Sequence, residues 1–183
     1  MRTVRRIIVL ALALAVVLGA AVPSAGRGGI PRGRYAIGDS VMLGAAEHLR
    51  ARGIQVHPHA RARQFGDALG IVRHLKRDGR LKRKIIVHLG TNGVAVDPDN
   101  CDALARSVGR DRRLFLVTIR IERTYRRAQN ARLTQCANRH RNTRLIDWYA
   151  YSDDHPGWFY SDGYHLNGTG RVRYADLLDR RTS

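Results

Sequence analysis

The chain has 183 residues and carries 33 Lys and Arg against 15 Asp and Glu, a formal net charge of +18. This length fits one compact domain and excludes two domains of ordinary size. The hydrophobic fraction of 44% supplies a core and excludes a wholly disordered basic tail. A charge this positive indicates an anionic partner: nucleic acid, an acidic cell-surface polymer or an anionic membrane.

The N-terminal segment has the organisation of a secretory signal peptide. Three arginines stand within residues 1–6, an uncharged apolar run follows from Ile7 to Val22, and small residues come next. We expect cleavage between Ala21 and Ala25. An uncleaved anchor helix is the alternative, although the apolar run is slightly short for crossing a bilayer.

These features predict a signal peptide at 1–25, a glycine-rich linker at 26–33 and one domain at 34–183. The domain is expected to be secreted or held in the cell envelope. Removal of the leader would lower the net charge to about +15. Export argues against a nucleic-acid partner. The remaining positive charge therefore suggests an anionic partner in the cell envelope.

The sequence does not decide whether its two cysteines, Cys101 and Cys136, form a disulfide. An oxidising compartment favours one disulfide. The predicted layout, however, puts Cys101 near the start of one helix and Cys136 late in the next. Neighbouring parallel helices would hold these ends apart, whereas a bridge needs Cα atoms within about 7 Å.

Strands and helices alternate along the chain. Apolar residues at spacings of three and four predict helices, and short continuous apolar runs predict buried strands. We predict strands at 34–38, 54–57, 85–89, 114–119 and 144–146, and helices at 41–52, 64–78, 99–108, 125–140 and 170–178. This order predicts an α/β fold with a parallel sheet covered on both faces, in which ligands bind at the carboxyl ends of the strands.

Three of the loops at those strand ends carry reactive side chains. The first strand runs into Gly38-Asp39-Ser40, where Ser40 is either a nucleophile or an ordinary helix N-cap. The third runs into Gly90-Thr91-Asn92-Gly93, where Asn92 either donates to an oxyanion or forms a turn.

The third loop lies near the C-terminus and reads Asp162-Gly163-Tyr164-His165. In this spacing His165 can accept a serine proton while Asp162 orients the imidazole. Metal binding by histidines is the alternative, but the spacings of His57, His59, His155 and His165 fit no ligand pattern. We therefore predict neither a metal nor a cofactor.

Taken together, the three motifs in this order resemble the SGNH (GDSL-like) hydrolase family over roughly Tyr35 to Leu178. The resemblance implies a three-layer flavodoxin-like fold with a five-stranded parallel sheet. It also implies a catalytic triad of Ser40, Asp162 and His165. The oxyanion hole would be formed by the backbone N–H of Ser40, the side chain of Asn92 and a backbone N–H after the second strand. That last position usually holds glycine; here Ala62 is the candidate.

One branch of the family is especially similar: the extracellular SGNH domains attached to membrane O-acyltransferases of peptidoglycan or surface polysaccharides. The likeness rests on Arg63-Gln64, Asp147-Trp148-Tyr149 and Trp158-Phe159-Tyr160. Because those domains follow a multi-helix membrane portion that this sequence lacks, a separate membrane protein or a soluble ester would supply the acyl group.

The resemblance implies a serine esterase or O-acyltransferase that acts on ester groups, O-acetyl above all, of cell-envelope glycans or small esters. An acyl-serine intermediate would pass to water or to a sugar hydroxyl. Tyr149, Trp158 and Tyr164 are candidate walls for the substrate, although packing beneath the loops explains them more simply.

The alternative function is a non-catalytic binder of anionic cell-envelope polymer. Clusters such as Arg123, Arg126 and Arg127 would carry that binding. Nucleic acid is not expected as a partner, because no aromatic–basic motif accompanies the charge.

Overall fold

The computed structural model describes residues 29–58, 63–93 and 96–183. The predicted leader at 1–25, the first part of the linker and Ala62 lie outside the described residues. Residues 29–33 precede the first strand, and the carbonyls of Pro31 and Gly33 accept hydrogen bonds from the backbone N–H groups of Arg83 and Lys84 (2.9 and 3.2 Å).

Short buried strands form the centre of the domain. They are β1 (Arg34–Gly38), β2 (Ile54–Val56), β3 (Lys84–His88), β4 (Arg113–Val117) and β5 (Thr143–Ile146). All four pairings are parallel, in the order β2-β1-β3-β4-β5. The predicted five-stranded parallel sheet is confirmed, and its order is that of a flavodoxin-like fold.

Helices cover both faces of the sheet because each strand buries alternate side chains in opposite directions. They are α1 (Ser40–Gly44), α2 (Ala46–Ala51), α3 (Asp67–Arg77), α4 (Pro98–Val108), α5 (Arg126–Arg139), α6 (Trp148–Ser152) and α7 (Gly168–Thr182), with a short 3-10 turn at Pro156–Trp158. One core lies between the sheet and α3, α4 and α5, and the other between the sheet and α1, α2, α6 and α7. The predicted three-layer arrangement is therefore confirmed.

Two helical features differ from the prediction. The predicted helix over 41–52 is divided at Ala45, whose backbone (φ −99°, ψ 6°) departs from helical geometry. The periodicity also gave no sign of α6, because this helix has only five residues. None of the helices among the described residues has the length and apolar character needed to cross a membrane.

Cys101 and Cys136 form a disulfide, with their Cα atoms 6.2 Å apart. The expectation that their helices hold them apart is wrong, because α5 is displaced along α4. Its last turn, not its first, lies beside the start of α4: the Arg139 guanidinium donates to the Asp102 carboxylate at 2.8 Å. This displacement brings a late residue of α5 to an early residue of α4.

Candidate active site

Ser40 is positioned by the tight turn from β1 into α1. Asp39 caps that helix, since its carboxylate accepts a hydrogen bond from the Val41 backbone N–H at 3.1 Å. Gly38 permits the close approach of helix and strand, because a Cβ there would overlap the buried side chain of Met42. The sequence Gly-Asp-Ser thus places Ser40 at the carboxyl edge of the sheet as the first residue of α1.

The structure brings Ser40, His165 and Asp162 into one hydrogen-bonded chain. The Ser40 hydroxyl lies 2.9 Å from His165 Nε2, and His165 Nδ1 lies 2.7 Å from an oxygen of Asp162. With the proton on Nδ1, the ring donates to Asp162 and leaves Nε2 free to accept the serine proton. Residues 125 positions apart therefore have the geometry of a nucleophile with its base and orienting acid.

Asp162 is held by three donors. One of its oxygens accepts from the backbone N–H groups of Tyr164 and His165 (3.1 and 2.9 Å), and the other from the His165 ring. Partial burial raises the pKa of Asp162, but these hydrogen bonds outweigh it and hold the pKa below its ordinary value. The carboxylate therefore stays ionised beside the imidazole at neutral pH.

The loop that carries Asp162 and His165 is a small hairpin. Phe159 and Leu166 form an antiparallel bridge, and the Tyr160 N–H donates to the His165 carbonyl at 2.9 Å. Gly163 forms the turn with φ +76°, a conformation that side-chain-bearing residues rarely adopt.

Arg120, just beyond β4, fixes this hairpin to the rest of the domain. Its guanidinium donates to the carbonyls of Gly163 (3.2 Å) and Ser152 (3.0 Å) and to the Asp153 carboxylate (3.3 Å). It also lies over the Phe159 ring, 4.6 Å from its centroid. Sequence reasoning missed this residue; its only signal was its place directly after a buried strand.

A buried polar cluster lies beneath Ser40. The His88 ring at the end of β3 makes a 2.7 Å hydrogen bond with the Tyr174 hydroxyl and stacks on that ring. Burial lowers the pKa of His88 to about 3, so its imidazole is neutral. Burial also raises the pKa of Asp39 to about 6, against the opposing effects of the Val41 N–H, of Thr91 and of the nearby His165.

Asn92 lies at the same sheet edge as Ser40, because β1 and β3 are neighbours with Gly38 opposite His88. Its side-chain amide donates to the Arg63 carbonyl at 3.1 Å. An amide nitrogen carries two hydrogens, so one remains for a second acceptor. The oxyanion roles of Asn92 and Ala62 stay predictions.

The three candidate aromatic walls differ in their surroundings. Trp158 packs among other rings, including a stack on His155 with centroids 4.0 Å apart, as the packing interpretation expects. Tyr164 instead lies against the His165 ring (4.2 Å between centroids), and Tyr149 lies under the Arg126 guanidinium (4.2 Å). Both tyrosines are half-buried and lie near the carboxyl edge of the sheet, where Ser40 is.

In the described part of the chain, one group of side chains has the closeness of metal ligands: Asp102, Cys136 and His140. The sulfur of Cys136 is committed to the disulfide, and His140 Nε2 lies 2.9 Å from the Asp102 carboxylate. The atoms of this group that could bind a metal are therefore already bonded within the protein.

The chain is similar in sequence to curated O-acetyltransferases. O-acetyltransferase OatA of Staphylococcus aureus is 36% identical over 145 residues, which are 78% of this chain and 24% of that protein. YrhL of Bacillus subtilis is 35% identical over 144 residues, 78% of this chain and 22% of that protein. The chain thus spans about a quarter of the length of these curated relatives. No protein-family model matches it.

Among solved structures, the C-terminal catalytic domain of peptidoglycan O-acetyltransferase A (OatA) from Streptococcus pneumoniae, with a methylsulfonyl adduct, has a TM-score of 0.74. It is 22% identical, and the match covers 83% of this chain and 93% of that one. A family 3 carbohydrate esterase of Clostridium thermocellum has a TM-score of 0.60 at 12% identity, covering 81% and 94% of the two chains. These structures share the fold described above.

Proposed function

Because the chain belongs to the SGNH (GDSL-like) hydrolase family, we propose that it is a serine esterase or O-acyltransferase with Ser40, His165 and Asp162 as its catalytic triad. The observation that carries this proposal is the hydrogen-bonded chain of 2.9 and 2.7 Å that joins the three side chains. The position of Ser40 at the carboxyl edge of the sheet, beside the switch in strand order between β1 and β3, supports it further.

The proposed reaction is a double displacement. Ser40 Oγ attacks the ester carbonyl as His165 Nε2 takes its proton, and the imidazolium then protonates the departing alcohol. Asp162 holds the tautomer and stabilises the imidazolium. In the second half, water or a sugar hydroxyl gives its proton to His165 and attacks the acyl-serine, which releases Ser40.

The oxyanion of each tetrahedral intermediate would be held by the backbone N–H of Ser40, the second amide hydrogen of Asn92 and the backbone N–H of Ala62. The bond from Asn92 to the Arg63 carbonyl supports this role, since it fixes the orientation of the amide. Such donors act best when they are oriented before the reaction begins.

We propose O-acetyl esters of cell-envelope glycans as the natural substrates, with small esters as alternatives. The similarity to OatA, an O-acetyltransferase, supports the acetyl group, and the carbohydrate esterase of the same fold supports a glycan. The triad side chains are partly exposed, at 35% for His165 and 39% for Asp162, so a polymer can reach them. The acyl donor would be a separate membrane protein or a soluble ester.

The proposed location is outside the cytoplasm, either secreted or in the cell envelope. The leader-like segment at 1–25 supports this location. The disulfide between Cys101 and Cys136 supports it independently, because such bonds persist in oxidising compartments.

The central test compares the wild-type protein with Ser40→Ala on p-nitrophenyl acetate. Loss of the nucleophile should reduce kcat/KM at least about a thousandfold, while Ser107→Ala, which changes a serine of α4, should keep wild-type activity. Equal rates for wild type and Ser40→Ala would refute the enzyme function and favour a binding protein.

A second assay separates hydrolysis from transfer. The protein is incubated with an acetyl ester and a glycan acceptor, and the products are followed by mass spectrometry. A mass increase of one acetyl group on the glycan, absent with Ser40→Ala, supports an O-acyltransferase. Free acetate as the sole product would indicate an esterase and not an O-acyltransferase.

A further inference from the structure

Two adjoining cavities with strongly basic linings open at the amino edge of the sheet, opposite the triad, and the second extends along β5 as far as Ile146. The first has a volume of about 760 Å³, and its charged lining residues are Arg106, Arg110, Arg113, Arg139 and Arg141, with the imidazole of His140 among them. The second has a volume of about 450 Å³, and its charged side chains are Lys84, Arg113, Arg144 and Arg181. No Asp or Glu side chain lines either cavity, and the lining of the second also includes Ser183, the last residue. We call the two cavities together the basic groove.

Arg113, which lines both cavities, makes the basic groove continuous. Its guanidinium donates to the Arg141 carbonyl at 3.1 Å, and that of Arg144 donates to the same carbonyl at 3.0 Å. The Arg141 carbonyl oxygen therefore holds the guanidinium groups of Arg113 and Arg144 close together. Fixing two like charges at one place is unfavourable unless an anion offsets their repulsion.

Most of the remaining positive charge in the basic groove is free. Among the described residues, Arg106, Arg110, Arg141 and Arg181 form no ion pair, whereas Arg139 is paired with Asp102 at 2.8 Å. Cations at helix C-termini complement the helix dipole, which accounts for Arg106 and Arg181 individually. That explanation does not extend to arginines on the strands.

We propose that the basic groove binds a linear anionic polymer of repeating phosphate groups. Guanidinium groups match the oxygens of phosphate in pairs, and a chain with regularly spaced charges can occupy both cavities, whereas a single small anion fills one. The groove lies at the opposite edge from Ser40, so a bound polymer leaves the triad accessible and keeps the protein at a phosphate-rich surface.

Nucleic acid and membrane fit the basic groove less well. Base stacking relies mainly on exposed Phe, Tyr and Trp rings, but the one such residue in either lining is Phe115, which is buried. Membrane insertion needs exposed apolar side chains, and the one large exposed hydrophobic residue in the described ranges is Tyr160, on the hairpin of the triad. A polymer recognised by its phosphates alone matches both observations.

The test measures binding of labelled long-chain inorganic polyphosphate to the full chain by fluorescence anisotropy. In the groove variant, Arg106, Arg110 and Arg141 are all changed to Gln, which removes three exposed charges that make no ion pair. The matched control changes Arg50, Arg73 and Arg173 to Gln, so it loses the same charge from α2, α3 and α7. Circular dichroism verifies that both variants are folded.

The groove variant should bind polyphosphate at least about tenfold more weakly, with a shallower dependence on salt, and the control within about twofold of wild type. Equal weakening of both variants would overturn the proposal, because net charge alone would then explain binding. Tighter binding of single-stranded DNA or of anionic lipid vesicles than of polyphosphate, lost in the groove variant, would overturn the choice of polymer.

The outcome does not depend on the proposed enzyme activity. Ser40→Ala should bind polyphosphate as tightly as wild type does, and the groove variant should hydrolyse p-nitrophenyl acetate at the wild-type rate. Failure of the esterase assay therefore refutes the triad alone, and failure of the binding assay refutes the groove alone.

Discussion

Replacement of Arg120 by methionine tests how the domain keeps Asp162 and His165 in place. Arg120→Met removes the donors to the carbonyls of Gly163 and Ser152 and leaves an unbranched chain against Phe159. The hairpin then keeps its own hydrogen bonds but loses its attachment to the end of β4.

The magnitude follows from the lost contacts. A hydrogen bond from a charged donor contributes about 1.5 kcal/mol or more, so two of them contribute about 3 kcal/mol. The ion pair with Asp153 adds less than about 1 kcal/mol, because that carboxylate is 51% exposed. If one to two thirds of this energy, about 1 to 2 kcal/mol, keeps Asp162 and His165 in their active positions, kcat falls about fivefold to thirtyfold, since 1.36 kcal/mol is a factor of ten.

The assay is hydrolysis of p-nitrophenyl acetate, with kcat and KM determined separately at a temperature at which the variant is folded. We expect kcat to fall and KM to stay within about twofold, because Arg120 contacts the hairpin and not the nucleophile. Asp153→Asn is the matched control: it removes the ion pair but keeps both carbonyl contacts, and its kcat should be near that of wild type. A folded Arg120→Met protein with wild-type kcat would refute this reasoning.

Two further predictions concern stability. His88 stays neutral in the folded protein because burial lowers its pKa to about 3, whereas in the unfolded chain it takes up a proton below about pH 6.5. The stability that this residue contributes is therefore lost as the pH falls from 6.5 towards 3. In urea unfolding, the free energy of unfolding of wild type relative to that of His88→Gln should decline by about 1.4 kcal/mol per pH unit as the pH falls through this range. Comparing the two proteins cancels the opposite effect of Asp39, which both contain. A difference in unfolding free energy that does not change with pH would contradict the prediction. The disulfide closes a loop with a sequence separation of 35 residues, so replacing Cys101 and Cys136 by alanine should lower the free energy of unfolding by about 4 kcal/mol. A loss below about 1 kcal/mol in urea unfolding would show that the bridge contributes little.

The arginine content illustrates why composition alone is a weak guide to a binding surface. Arg123, Arg126 and Arg127 are close together in sequence and lie at the start of α5, and Arg126 is stacked on Tyr149. The basic groove draws its charge from residues between Lys84 and Arg181. Such a surface exists only once α4, α5 and α7 end at the same edge of the sheet.

Local sequence patterns were enough to predict the fold class and the loops that form the candidate site. Hydrophobic periodicity is a local property, so it identified the five strands and the helices between them. Parallel strands bring their carboxyl ends to one edge, and this rule alone places Ser40 and Asn92 at the same edge of the sheet. The family resemblance added His165 and Asp162 as partners of Ser40.

Which distant side chains meet depends on how the helices pack on the sheet. The pairing of Cys101 with Cys136 depends on the displacement of α5 along α4, and the contact of Arg120 with the hairpin depends on where that hairpin packs. Neither the displacement nor the packing has a local periodic signal, because each results from how whole faces of helices and sheet fit together. Distances between elements are therefore set by the packed core, and the contacts of the candidate site follow from them.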